Sequence, residues 1–126
     1  MSLPAGTRIL VVEDEYLLAR QMSRALVQEG AEVVGCVGTV AAALDALSRL
    51  AEVDLAVLDI NLAGERVYPV AVELARRGVG FVFVSGYDLD DRDPRFAGAP
   101  QLSKPIAIPA LTRALAAAMQ PTPPAG

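Results

Sequence analysis

Four short stretches of this chain place charged or polar residues just where an apolar run stops. "VVEDE" sets Glu13, Asp14 and Glu15 behind Val11 and Val12, "DLAVLDI" ends a run on Asp59, "FVFVSG" ends one on Ser85, and "LSKP" offers Lys104, the only lysine beside ten arginines. Adjacent carboxylates repel one another, and ionised carboxylates are rarely buried unless they are paired or bind a metal. Three carboxylates with a backbone carbonyl make a hard, oxygen-only site suited to Mg2+, which keeps several waters and is normally completed by phosphate. A transferring phosphoryl group needs its equatorial oxygens neutralised, a task the metal, the Lys104 ammonium and the Ser85 hydroxyl could share. The nucleophile would be a carboxylate and the product an acyl phosphate.

Each residue taken singly has a plainer role. An Asp or Ser after a strand commonly forms a turn or caps a helix, Asp14 could simply cap the first helix, and a lysine is usually a surface residue. What favours the chemical reading is their joint position, and that depends on the elements that carry them. The apolar runs are Arg8 to Val12, Ala31 to Val37, Asp54 to Asp59, Gly80 to Ser85 and the weaker Pro100 to Ser103. Three are nearly continuous hydrophobics, the pattern of parallel strands covered on both faces.

Helical stripes separate them. Leu18, Met22, Ala25 and Leu26 form the first, and Val40, Ala43, Leu44, Leu47, Leu50 and Ala51 the second, with Thr39 as N-cap. Val67, Val70, Ala71 and Leu74 form the third, with Pro69 in the first turn and Gly78 as the C-terminal stop; Ile108, Leu111, Leu115 and Met119 form the last. Between Ser85 and Pro100 the sequence "YDLDDRDPRFAGAP" carries four Asp and two Pro, poor helix material, which predicts a short or mobile fourth helix. The pattern is α/β: five βα units in an open, doubly wound parallel sheet with helices on both faces. Ligands of such sheets bind beyond the carboxyl ends of the strands, where the four stretches fall.

At 126 residues the chain reads as one domain, with a core over about 8–119 and a tail or the start of a linker at 120–126. A net charge of −4 with scattered arginines argues against a nucleic-acid partner. The lone Cys36 excludes a disulfide framework and suits a reducing cytoplasm. "MSLPAGTR" lacks the apolar core of a signal peptide, and no run approaches the ~20 apolar residues of a membrane span.

From about Arg8 to Met119 the sequence resembles a response-regulator receiver domain, with "VVEDE", "DLAVLDINL", "VSG" and "KP" in the family's order and spacing. "NLAGERVYPVA", "FVFVSGYD" and "LSKP" are similar to an atypical subgroup with a Phe-Ala-Thr-Gly-Tyr-like fourth strand, often found as single-domain receivers. The resemblance implies a flavodoxin-like strand order 2-1-3-4-5 and phosphorylation of Asp59 by a sensor histidine kinase or phosphotransfer protein. It also implies Mg2+ held by Glu13, Asp14, Asp59 and the Asn61 carbonyl, Ser85 as the switch hydroxyl, Lys104 on the phosphoryl group, and a cis Lys104–Pro105 peptide.

Where most receivers carry an aromatic switch residue, three positions before the lysine, this chain has Gln101. Gln101 cannot fill an apolar slot without burying an amide that then needs partners. The expected output is therefore an ordering of Tyr87 to Ala99 on phosphorylation. Two other classes compete. A Mg2+-dependent aspartyl-phosphate hydrolase would want a second Asp two residues after the nucleophile, where this chain has Asn61. A flavodoxin-like cofactor binder would want a Ser/Thr/Gly-rich phosphate loop where "EDEYL" stands. The chain is accordingly expected not to be an enzyme beyond its own phosphorylation and slow dephosphorylation. The oligomeric state stays open.

Overall fold

In the computed structural model, residues 3–86 and 93–119 are described. Five strands form one parallel sheet: β1 (Arg8–Val12), β2 (Glu32–Val37), β3 (Leu55–Asp59), β6 (Gly80–Ser85) and β7 (Gln101–Ser103), in the order β2-β1-β3-β6-β7. Counting only these five, the order is the expected 2-1-3-4-5. Strands β4 (Asn61–Leu62) and β5 (Glu65–Arg66) form a separate antiparallel hairpin directly behind β3.

The continuous apolar runs have the cause inferred from them. Along β1, Leu10 and Val12 face one core while Ile9 and Val11 face the other. Helices α2 (Val40–Arg49) and α3 (Tyr68–Arg76) close the first core, and α1 (Tyr16–Gln28) and α4 (Ile108–Ala118) close the second. A strand buried on both faces has no polar face to alternate with, so β3 reads LAVLD with every residue buried.

Helix ends follow their local chemistry. The Thr39 side chain accepts from the Ala42 N–H and caps α2, Pro69 sits in the first turn of α3, and Gly78 ends it at φ +72°, in the left-handed region open to glycine. Asp14 is not a cap: α1 begins after Glu15 with no side-chain capping bond, which leaves the Asp14 carboxylate for the site. Helix α4 buries Leu111, Thr112, Leu115 and Ala116, a face turned slightly from the expected stripe; Thr112 fits because its hydroxyl donates to the Ile108 carbonyl at 3.1 Å.

Among the described residues of the fourth crossover stands a 3-10 turn at Pro94–Phe96, capped by the Asp93 side chain accepting from the Arg95 N–H. Phe96 stacks on Tyr68 with ring centroids 6.0 Å apart and meets Phe81 and Phe83 edge-on, so Asp93 to Ala99 are anchored rather than loose. The first part of the stretch expected to order on activation, Tyr87 to Arg92, lies outside the described residues, as does the tail from Gln120.

Candidate functional site

Glu13 and Lys104 stand one rung past the regular ladder and Asp59 and Ser85 on its last rung, with Asp14 next after Glu13. The Glu13 N–H donates to Val37 O at 2.9 Å, the Ile60 N–H to Val84 O at 3.0 Å, and the Lys104 N–H to Ser85 O at 2.8 Å. These bonds tie β1 to β2, β3 to β6 and β7 to β6 at their carboxyl ends, and with the β1–β3 ladder they bring Glu13, Asp14, Asp59, Ser85 and Lys104 to one edge. The Lys104–Pro105 peptide is cis, as the resemblance implies.

Carboxylate oxygens of Glu13, Asp14 and Asp59 lie within 4.8 Å of one another, Glu13 and Asp59 buried and Asp14 exposed at the rim. Asp59 is held from both sides: the Asn61 N–H donates to its Oδ1 at 3.0 Å and Lys104 Nζ donates to its Oδ2 at 3.0 Å. Lys104 Nζ also stands 3.1 Å from Glu13 Oε1 and 3.2 Å from Glu15 Oε1. Glu13 accepts the Glu15 N–H through Oε2 at 2.9 Å, while its buried Oε1 faces Lys104.

One ammonium therefore serves three carboxylates, with a fourth, Asp14, close by. Burial first, and Asp59 beside it second, push the Glu13 carboxyl above the ordinary carboxylate range. Burial works against the charge on Lys104, but Asp59 and Glu13 together raise it above its usual value, so it stays an ammonium. An oxygen-only donor set with more carboxylates than the one neighbouring ammonium can pair is what a hard divalent cation would satisfy. Asn61 stands beside the cluster on β4, its position fixed by the turn into β5. Its side chain accepts the Gly64 N–H at 2.7 Å and closes a two-residue turn through Ala63 (φ +53°) and Gly64 (φ +95°).

No family model matches the chain. The solution structure of SdrG from Sphingomonas melonis Fr1 superposes with a TM-score of 0.81 at 41% identity, covering 94% of this chain and 100% of SdrG, which has also been solved in a BeF3-activated conformation. The PhyR response regulator REC domain of Erythrobacter litoralis shares the fold at a TM-score of 0.79 and 22% identity, covering 97% of this chain and 98% of that one. The chain belongs to the response-regulator receiver family. The transcriptional regulatory protein PdtaR of Mycobacterium tuberculosis is 33% identical over 113 residues, 86% of this chain and 54% of that protein. The receiver spans about half the length of the curated relatives it matches.

Two residues of this receiver's site were not assigned from sequence. In the sequence Glu15 is only the last of an acidic run, and its bond to Lys104 joins positions 89 apart. Gln101 stands out in the sequence only for not being aromatic. Its Nε2 donates to Ser85 Oγ at 2.9 Å, while its buried Oε1 has no partner among the described residues. The signal that could have found this bond was the register of β7 on β6, which the three-residue strand QLS is too short to reveal.

Proposed function

We propose that this receiver takes a phosphoryl group onto Asp59 from a sensor histidine kinase or a phosphotransfer protein, with Mg2+ held by Glu13, Asp14, Asp59 and the Asn61 backbone carbonyl. One observation carries the reading: a buried aspartate with one oxygen on a backbone N–H and the other on the only lysine, inside a carboxylate cluster whose charge that lysine cannot balance. Charge neutralisation at the phosphoryl oxygens is the chemistry a bound Mg2+ supplies.

Asp59 supplies the attacking carboxylate oxygen. Its new O–P bond forms as the donor's P–N bond breaks, or the P–O bond of an acyl phosphate, and the electron pair leaves with the imidazole or carboxylate. Lys104, already on Asp59, pairs with the arriving negative charge, and the Ser85 hydroxyl donates to a phosphoryl oxygen. Turnover as a hydrolase is not supported: two residues after Asp59 stands Asn61, whose side-chain oxygen is engaged by the Gly64 N–H. We therefore read the domain as a signalling module and not an enzyme acting on other substrates.

A cytoplasmic location fits a kinase partner. Among the described residues no helix is long and apolar enough to cross a membrane. No nucleic-acid contact is proposed for this domain, since Arg8, Arg49, Arg76, Arg77 and Arg95 are committed to ion pairs with carboxylates. The test is incubation with Mg2+ and a small acyl phosphate, followed by intact mass. One phosphoryl group should be gained, dependent on Mg2+ and absent in Asp59→Asn. A gain that survives the substitution, or that ignores chelator, overturns the reading.

A further inference from the structure

The bond between Gln101 and Ser85 gives a residue with no assigned part in the chemistry a direct hold on the phosphoryl-binding hydroxyl. Ser85 is buried at the end of β6, and Gln101 opens β7 on the neighbouring ladder, paired with Phe83. In a parallel pair, residues in register share a face, and Ser85 lies two residues past Phe83, so Gln101 and Ser85 face the same side. Strand β7 then runs on to Lys104, whose N–H is bonded to the Ser85 carbonyl. The side-chain bond at 2.9 Å is thus a second link between the strand bearing the hydroxyl and the strand bearing the lysine.

The direction of the bond matters. Gln101 Nε2 donates, so Ser85 Oγ accepts and its own proton is left for another acceptor. A hydroxyl that accepts from an amide while donating to an anion sits in a polarised chain, in which each bond strengthens the next. The Nε2–Oγ bond is the hydrogen bond that the Gln101 side chain makes among the described residues, since its buried Oε1 has no partner there.

We propose that Gln101 is a positioning residue for phosphoryl binding: it holds Ser85 as a hydrogen-bond donor toward the phosphoryl group, and the pair moves as one hydrogen-bonded unit. This rests on the reading of Asp59 as phosphoacceptor. It replaces an aromatic swing with a polar link. The unit abuts Phe83, which touches Phe96, so occupancy of the site is felt at the anchored turn Asp93 to Ala99.

The experiment is a double-mutant cycle of Ser85→Ala and Gln101→Met, an unbranched side chain of similar length, with beryllium fluoride and saturating Mg2+ as the probe. Apparent affinity is read from backbone amide spectra. With Ser85 present, Gln101→Met should weaken binding about fivefold, the loss of one net hydrogen bond. In the Ser85→Ala background the same substitution should cost nothing further. In the unsubstituted protein, the Gln101 side-chain amide resonances should shift on adding beryllium fluoride, and should stay put in Ser85→Ala. That second reading decides the matter even if Gln101→Met does not fold. Equal losses in both backgrounds, or an unmoved side-chain amide in the unsubstituted protein, overturn the positioning role while leaving the receiver reading intact. Failure of the unsubstituted protein to bind beryllium fluoride at all overturns both.

Discussion

The two ends of the same sheet handle charge in opposite ways. At the amino edge, Arg8 at the start of β1 pairs with Glu52 and Asp54, and Arg76 and Arg77 at the end of α3 share Glu73. Those groups are partly or largely in water and each cation has a carboxylate. At the carboxyl edge, Glu13 and Asp59 side chains are 0% and 4% exposed, and among the described residues Lys104 at 15% is the one cation against Glu13, Asp59 and Glu15, with Asp14 alongside. Balanced pairs in water stabilise little and ask for nothing more. An unbalanced, buried cluster is held in place by the surrounding fold at a cost, and it is at this edge that the proposed chemistry falls.

The largest test of this contrast removes that cation. Lys104→Met leaves two buried carboxylates without their partner, and breaking a buried ion pair from one side costs about 3 kcal/mol. The urea midpoint should fall accordingly with little change in slope, and millimolar Mg2+ should restore part of the loss by supplying positive charge to the same oxygens. A stability equal to that of the unsubstituted protein would mean that Lys104 is not what balances the cluster.

Removing an anion from the same edge should act the other way. Asp14→Ala takes away one of several like charges at the rim and breaks no hydrogen bond described for the chain, so in chelator it should raise stability by about 1 kcal/mol. It should also remove most of the metal's effect. For the unsubstituted protein at Mg2+ tenfold above its dissociation constant, binding adds about 1.4 kcal/mol, or roughly 5 °C in Tm. A thermal scan with and without Mg2+ reads both. A full Mg2+ increment in Asp14→Ala would remove Asp14 from the metal site.

How much of this was open to a sequence reading depended on how local the determinant is. Strands β1, β3 and β6 were legible because burial on both faces writes itself as an unbroken apolar run. Asp59 and Ser85 were legible because each ends such a run, and the topology fixes where strand ends go. The β4–β5 hairpin was not: its turn uses Ala63 at φ +53° where Asn-Gly or Asp-Gly would signal it, and it is closed by the Asn61 side chain. The anchoring of Asp93 to Ala99 was missed because Phe96 finds its partners on α3 and β6, not nearby in sequence. The Glu15–Lys104 and Gln101–Ser85 bonds depend on register between distant strands, which residue types do not encode. Gln101 could be seen as an anomaly; only the fold shows what it holds.

The smallest effect belongs to the amino edge, where the contrast can be sharpened with pH. Asp54 accepts the Arg8 backbone N–H at 2.8 Å and its Nε–H at 3.3 Å, and the backbone bond, ahead of the guanidinium, holds its carboxyl below the usual range. A carboxylate whose pKa is lower in the folded than in the unfolded chain contributes stability that is fully present above the unfolded value and lost as pH falls through the folded one. Asp54→Asn should therefore cost about 1 kcal/mol at neutral pH, the worth of one hydrogen bond, and the difference from the unsubstituted protein should close as pH drops below the ordinary carboxylate range. Phosphoryl uptake on Asp59 and the Mg2+ increment in Tm should be unchanged, because this pair lies at the far end of β1 and β3 from the site. A loss of uptake in Asp54→Asn would show that the two edges are coupled through those strands and that the amino edge is more than a structural clasp.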